Sequence, residues 1–177
     1  HLGAGSVLVD GGVLAYAGVG SLAVPVSATA SQAVSVGANG ATFNVADRFA
    51  ALTLTGPVAV SAGTANLTKT GLGRVDVAGS VNLGGGVATV SQGVLGAGFA
   101  LNGVSAINVA DGATLNLFDY ATVGLGSTVL GLASGAGLGF ELGAPTVNDS
   151  IVLAAGSSIG GTITINLRDL GVAAGSY

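Results

Sequence analysis

Cysteine, methionine and tryptophan are all missing from this 177-residue chain, proline occurs three times and histidine once, at position 1. Each absence closes a class. Without cysteine there is neither a disulfide framework nor a thiolate metal site. Three prolines, with no glycine at every third position, exclude collagen. Charge is scarce too, with four basic and eight acidic residues, 7% of the chain against a usual ~25%. So few basic residues and a net charge of −4 speak against nucleic acid as a partner. Disorder fails on the opposite ground, because half the residues are hydrophobic and a disordered chain needs few apolar residues and much net charge.

Two long stretches, Gly11 to Ala46 and Val77 to Ala110, carry no charge at all. Neither reads as a transmembrane helix, since Ser, Thr, Asn, Gln and Gly interrupt them every few residues. Alternating segments such as Val34-Ser35-Val36 would suit a transmembrane β-barrel, but such barrels need two aromatic girdles. Three tyrosines and five phenylalanines scattered along the chain make poor ones. Beginning at His1 and lacking methionine, the chain reads as one segment, residues 1–177, that is a fragment or processed piece of a longer precursor.

What is abundant is glycine, 33 residues, together with Ala, Val, Ser and Thr. No window keeps apolar residues at helical spacing, and glycine recurs too often for helices. Short runs alternate instead, at Ser6–Val9, Val34–Val36, Thr42–Val45, Leu52–Thr55, Val58–Val60, Val75–Val77, Val87–Val90, Ala106–Val109, Thr114–Leu117, Ser150–Leu153 and Thr162–Leu167. Between them stand residues that reach positive φ cheaply, such as Asp10-Gly11-Gly12, Asn39-Gly40, Gly84-Gly85-Gly86, Asn102-Gly103 and Asp111-Gly112. Many short strands separated by turns predict an all-β fold.

One hexamer recurs: Thr42-Phe43-Asn44-Val45-Ala46-Asp47, Thr114-Leu115-Asn116-Leu117-Phe118-Asp119 and Thr164-Ile165-Asn166-Leu167-Arg168-Asp169. The copies lie 72 and 50 residues apart, close to multiples of about 24–25, a period in the range of repeat architectures. This predicts a β-solenoid whose coil takes roughly 20–25 residues, giving roughly 7–9 coils, each adding ~4.8 Å, a rod on the order of 40 Å long. Apolar residues would stack inside, Gly and Asn would serve the corners, and the recurring Asn would be placed to form amide ladders or turns.

The stretch Asn66-Leu67-Thr68-Lys69-Thr70-Gly71-Leu72-Gly73-Arg74-Val75-Asp76-Val77-Ala78-Gly79, continued through Gly84-Gly85-Gly86-Val87-Ala88-Thr89-Val90-Ser91-Gln92-Gly93-Val94-Leu95-Gly96-Ala97-Gly98, resembles the autotransporter-associated β-strand repeat. The Leu-Thr-Lys-Thr-Gly core is intact, while Asp76 stands where that family usually has Thr or Ser. Val7–Gly18 is similar to the tail of a preceding copy and Ile107–Leu117 to a degenerate one. Asp149-Ser150-Ile151-Val152-Leu153 and the run from Gly160 through Leu167 to Gly175-Ser176-Tyr177 resemble the segments C-terminal to such repeats in large secreted bacterial proteins. The resemblance implies a right-handed parallel β-helix, secreted and displayed at the cell surface, as in autotransporter passengers.

Candidate chemistry is thin. His1 is terminal, where neither a supported base nor a ligand cluster forms. The acids are Asp10, Asp47, Asp76, Asp111, Asp119, Asp149, Asp169 and Glu141. Asp10 and Asp111 precede glycine and read as turn formers. Asp47, Asp119 and Asp169 end the three hexamers and would approach one another only if the copies shared a face; strand ends are the simpler reading, and a calcium β-roll nonapeptide is absent. The basic residues Arg48, Lys69, Arg74 and Arg168 are far apart, and local ion pairing suits Arg48, Arg74 and Arg168. A polysaccharide-cleaving site needs clustered acids with a nearby base or cation, and a sugar-binding groove would want aromatic platforms. No catalytic, metal or cofactor residue is therefore assigned, and the chain is expected not to be an enzyme.

The expected function is structural: a solenoid subunit of an extracellular filament or surface layer, self-associating end-to-end or side-by-side, with cell-surface polysaccharide as a further partner. The alternative is the stalk of an adhesin passenger, and a β-helix enzyme is a distant third. The motive is the surface. An ordinary solenoid keeps itself soluble with outer charges and polar caps, and this chain has too few charges for the first and no charged segment for the second.

Overall fold

The computed structural model describes residues 5–98, 101–118, 122–124, 127–142 and 149–169. The chain winds through them as a parallel β-solenoid with three strands to a rung. Rung one holds β1 (Val7–Val9), β2 (Val13–Tyr16) and β3 (Val26–Ala30), and rung two β4 (Val34–Val36), β5 (Ala41–Val45) and β6 (Ala50–Leu54). Rung three comes next with β7 (Val58–Val60), β8 (Leu67–Thr70) and β9 (Arg74–Val77). In rungs four and five one long strand bends across two faces, β10 (Val81–Val90) before β11 (Val94–Ala97) and β12 (Leu101–Val109) before β13 (Thr114–Leu117). Rung six has β14 (Thr122–Gly124), β15 (Val129–Leu132) and β16 (Gly137–Leu142), and rung seven β17 (Ser150–Val152), β18 (Ser158–Ile159) and β19 (Thr164–Asp169). All pairings between rungs are parallel. The third face is one seven-stranded sheet in the order β3, β6, β9, β11, β13, β16, β19. Seven rungs joined by six steps thus lie at the low end of the expected coil number.

The rung length is not constant. On the third face Val26 pairs with Ala50, 24 residues on, Ala51 with Arg74 after 23, Arg74 with Val94 and Val94 with Thr114 after 20 each, and Gly137 with Thr164 after 27. Steps of 20 to 27 residues bracket the expected coil of roughly 20–25, and no fixed period of 24–25 holds. Its consequence falls on the hexamer repeat. Thr114 and Thr164 do stand in one column, joined through Gly137. Thr42 belongs to β5 on the second face, so the first copy shares no face with the other two.

Strand alternation sets the core. In β5 and β6 the residues read buried, half-buried, buried in strict succession. Stacked by register, the inward positions form columns along the axis: Leu52, Val75, Leu95, Leu115 and Leu138 on the third face, and Phe43, Lys69, Val90, Val109 and Leu132 on the second. Apart from the lysine, these join one continuous buried cluster.

Glycine does more than turn corners. The triplet Gly84-Gly85-Gly86, expected as a turn, lies inside β10, where two register shifts bend the strand from one face to the next. On the outer surface, glycines lie beneath polar side chains of the preceding rung: a Cβ on Gly37, Gly96, Gly135 or Gly139 would fall on Asp10, Asp76, Asp111 or Asn116. The outer column of the third face runs Asp76, Gly96, Asn116, Gly139, Asn166. Bulky polar residue and glycine alternate because neighbours one rung apart share a spacing of only ~4.8 Å. The continuous Asn ladder is thereby ruled out on this face, where Asn116 instead donates to the Leu117 carbonyl at 2.8 Å. Asn44 likewise donates to Thr70 Oγ1 at 2.9 Å. No helix among the described residues is long and apolar enough to cross a membrane, which leaves strand-built membrane proteins untouched.

Gly71 shows how tight the corner between second and third faces is. Its φ is +74°, and a Cβ there would run into the Val45 backbone carbonyl of the rung before. Gly112, with φ +70°, has nothing within 4 Å of the same position. Left-handed strain alone costs about 1–3 kcal/mol, so Gly112→Ala should lose about that much stability and Gly71→Ala clearly more. Urea unfolding midpoints measure the difference, and equal losses would remove the carbonyl contact from the account.

Candidate functional site

Lys69 is the least expected residue of the interior. The alternation Leu67-Thr68-Lys69-Thr70 points it inward, where it is only 1% exposed and stands in register between Phe43 and Val90. A buried ammonium must be met by acceptors. Its Nζ donates to the carbonyls of Thr70 at 2.7 Å, Gly71 at 2.8 Å and Gln92 at 3.1 Å, one bond for each of its three protons. Gln92 belongs to the next rung and returns the contact, its Oε1 accepting from the Gly71 N–H at 3.2 Å. Lysine and glutamine together tie the corner of rung three to that of rung four.

Most of the remaining described charged residues form two separate ion pairs or make local hydrogen bonds. Arg74 Nε meets Asp76 Oδ1 at 2.6 Å on the outer third face, with the guanidinium 5.8 Å from the centre of the Phe118 ring. Arg168 Nη1 bonds Glu141 Oε1 at 2.9 Å across one rung step, so its partner lies on the neighbouring strand. Asp10 Oδ1 accepts from the Asn39 N–H at 2.9 Å, a bond between successive rungs beyond the turn expected of it. Asp47 Oδ1 accepts from the Phe49 N–H at 2.7 Å, closing the corner after β5, and Arg48 is exposed beside it. No Arg48–Asp47 ion pair forms. Asp149 Oδ2 accepts from the Glu141 N–H at 2.6 Å. Asp111 lies over Gly135. His1, Asp119 and the last residues to Tyr177 lie outside the described residues.

Asp47 comes after a strand of the second face and Asp169 ends one of the third, so the ends of these hexamers do not converge. Among the described residues no three His, Asp or Glu side chains gather closely enough to hold a metal ion. In rung one the inward Leu14, Tyr16, Ala28 and Ala30 line an open cavity of about 520 Å³ together with the polar Thr29, Ser31 and Gln32 and with Leu52 and Leu54 of rung two. In rung seven Ile159, Ile165 and Leu167 stand in register with inward residues of rung six yet are about half exposed or more. The strands β1, β2 and β3 carry no charged residue, and each pairs on one edge only. The strands β17, β18 and β19 also pair on one edge only.

Burial lowers the Lys69 amine from its ordinary value to about 8. Between about 8 and the ~10.4 of an unfolded lysine, the unfolded chain binds more protons than the folded one, so this residue makes stability rise with pH across that window. Below pH 8 both forms are protonated and the buried charge carries its full cost. Lys69→Met should therefore flatten this rise, read as the difference between wild-type and variant urea midpoints from pH 7 to 10.5. Parallel curves would show that the amine is not desolvated.

Compared with models of protein families, with curated proteins and with solved structures, the chain matches none.

Proposed function

We propose that this chain is a non-enzymatic structural segment of an extracellular bacterial assembly, in which solenoid units associate through surfaces that carry almost no charge. One observation carries the reading: four basic and eight acidic residues in 177 leave a β-solenoid with very little charge on its outer faces. Contact between such faces desolvates few charges, and burying apolar surface gains about 25 cal/mol per Å². Two of the acids, Asp76 and Glu141, are held in ion pairs with Arg74 and Arg168.

The Leu67-Thr68-Lys69-Thr70-Gly71 core supports a place among autotransporter-associated repeats. It also favours the second reading, a stalk within an adhesin passenger that holds a binding region away from the cell. The encoding precursor separates the two: a C-terminal translocating barrel favours the stalk, repeated copies with a short sorting tail the assembly.

Purified chain at neutral pH and modest salt should sediment as a concentration-dependent series and show elongated particles by negative-stain electron microscopy. Thr29→Lys, which puts a charge on the exposed outward side of β3, should shift it to monomer with unchanged β-sheet circular dichroism. Monodisperse wild-type monomers at tens of micromolar would overturn the reading.

A further inference from the structure

The outer side of the third face carries one groove that breaks its pattern of small, uncharged side chains. The outward column Ser27, Ala51, Arg74 runs through it, in register on β3, β6 and β9, and its volume is about 330 Å³. Arg48 and Arg74 both line it, half of the four basic residues in the chain. Pro25 and Phe49, the corner residues ahead of β3 and β6, supply apolar wall. Arg48 and Arg74 stand in rungs two and three, with a rung on each side, and the outward column faces away from the axis. Neither arginine therefore depends on what adjoins the first or the last rung.

The two arginines differ in what holds them. Arg74 is fixed: Asp76 Oδ1 accepts from its Nε at 2.6 Å, and its guanidinium lies 5.8 Å from the centre of the Phe118 ring. Its two Nη groups have no acceptor among the described residues. Arg48 is exposed and pairs with no carboxylate among the described residues, while Asp47 Oδ1 beside it accepts from the Phe49 N–H. The ion pair that the sequence suggests for Arg48 is thus missing, and its charge has no internal use.

A guanidinium presents its N–H groups in a planar fork that matches a carboxylate. With Asp47 and Asp76 beside the two arginines, the surroundings are close to neutral overall. They suit a singly charged acid better than a phosphate, which carries about −1.5 to −2 at neutral pH and would be repelled by both aspartates. The wall is equally selective, because Phe49 supplies the one aromatic surface of the groove and Ser27 a hydroxyl.

We propose that this groove binds the carboxylate of a uronic acid residue in an acidic polysaccharide. Arg48 and Arg74 hold the acid, the sugar ring lies against Phe49 and Pro25, and Ser27 serves the sugar hydroxyls. The inference goes beyond the assembly reading and does not rest on it, since the contact surfaces of that reading carry almost no charge.

Equilibrium dialysis of the full 177-residue chain against trigalacturonate, at neutral pH and low salt, should show saturable binding that the methyl ester of the same trisaccharide lacks. Arg48→Gln should weaken it by about tenfold or more, the loss of one charged hydrogen-bonded contact. Ala51→Glu, which sets a carboxylate in the groove next to Arg74, should do the same, and both should keep the wild-type circular dichroism. Arg48→Lys, which keeps the charge without the fork, should recover only part of the affinity, and Arg168→Gln in rung seven should bind as wild type does. Equal binding of the methyl ester, unchanged affinity in Arg48→Gln, displacement by equimolar inorganic phosphate, tighter binding of a triglutamate peptide or no binding of trigalacturonate would each overturn this site. The assembly reading would stand in every one of those cases, because sedimentation of the unliganded chain decides it.

Discussion

Parallel pairing in register places the same position of successive rungs one strand spacing apart, about 4.8 Å, and that spacing governs nearly everything else in this molecule. A side chain has its closest neighbours above and below it in the same column. Inside, the columns fill with Val, Leu, Ile and Phe. On the third face glycine separates bulky polar groups, as in Asp76, Gly96, Asn116, Gly139, Asn166, while on the second Thr42, Thr68, Thr89 and Asn108 follow one another directly. The high glycine content therefore has two sources, corners such as Gly71 and flat strand positions that carry a neighbour's side chain.

The scarcity of charge has its origin in the same spacing. Two like charges about 5 Å apart repel by roughly 1 kcal/mol in water and several-fold more once the surface is dried. A repeat that placed an acid at the same position of every rung would build that repulsion into its whole length. Here charges stand alone in their columns or opposite a partner: Asp76 lies between Thr53 and Gly96, Lys69 between Phe43 and Val90, and Glu141 beside Arg168. Lys69 is tolerated because three carbonyls surround it. Its burial is thus tied to the corner geometry that Gly71 makes possible.

The sequence makes the class of fold legible and leaves its wiring mostly hidden. Strands Val34–Val36, Val58–Val60 and Thr114–Leu117 stand where their alternation places them. Gly137–Leu142 is invisible to alternation because glycines occupy its outward positions. Which face a strand joins is not written locally, since all three faces share one alternation, and rung lengths that vary through the chain defeat arithmetic on repeat spacing. This is why Thr42 groups with Thr114 and Thr164 by sequence and not in space. The inward lysine does leave a signal: the alternation of Leu67-Thr68-Lys69-Thr70 gives Lys69 the parity of Leu67, but charge normally outweighs parity in reading a strand.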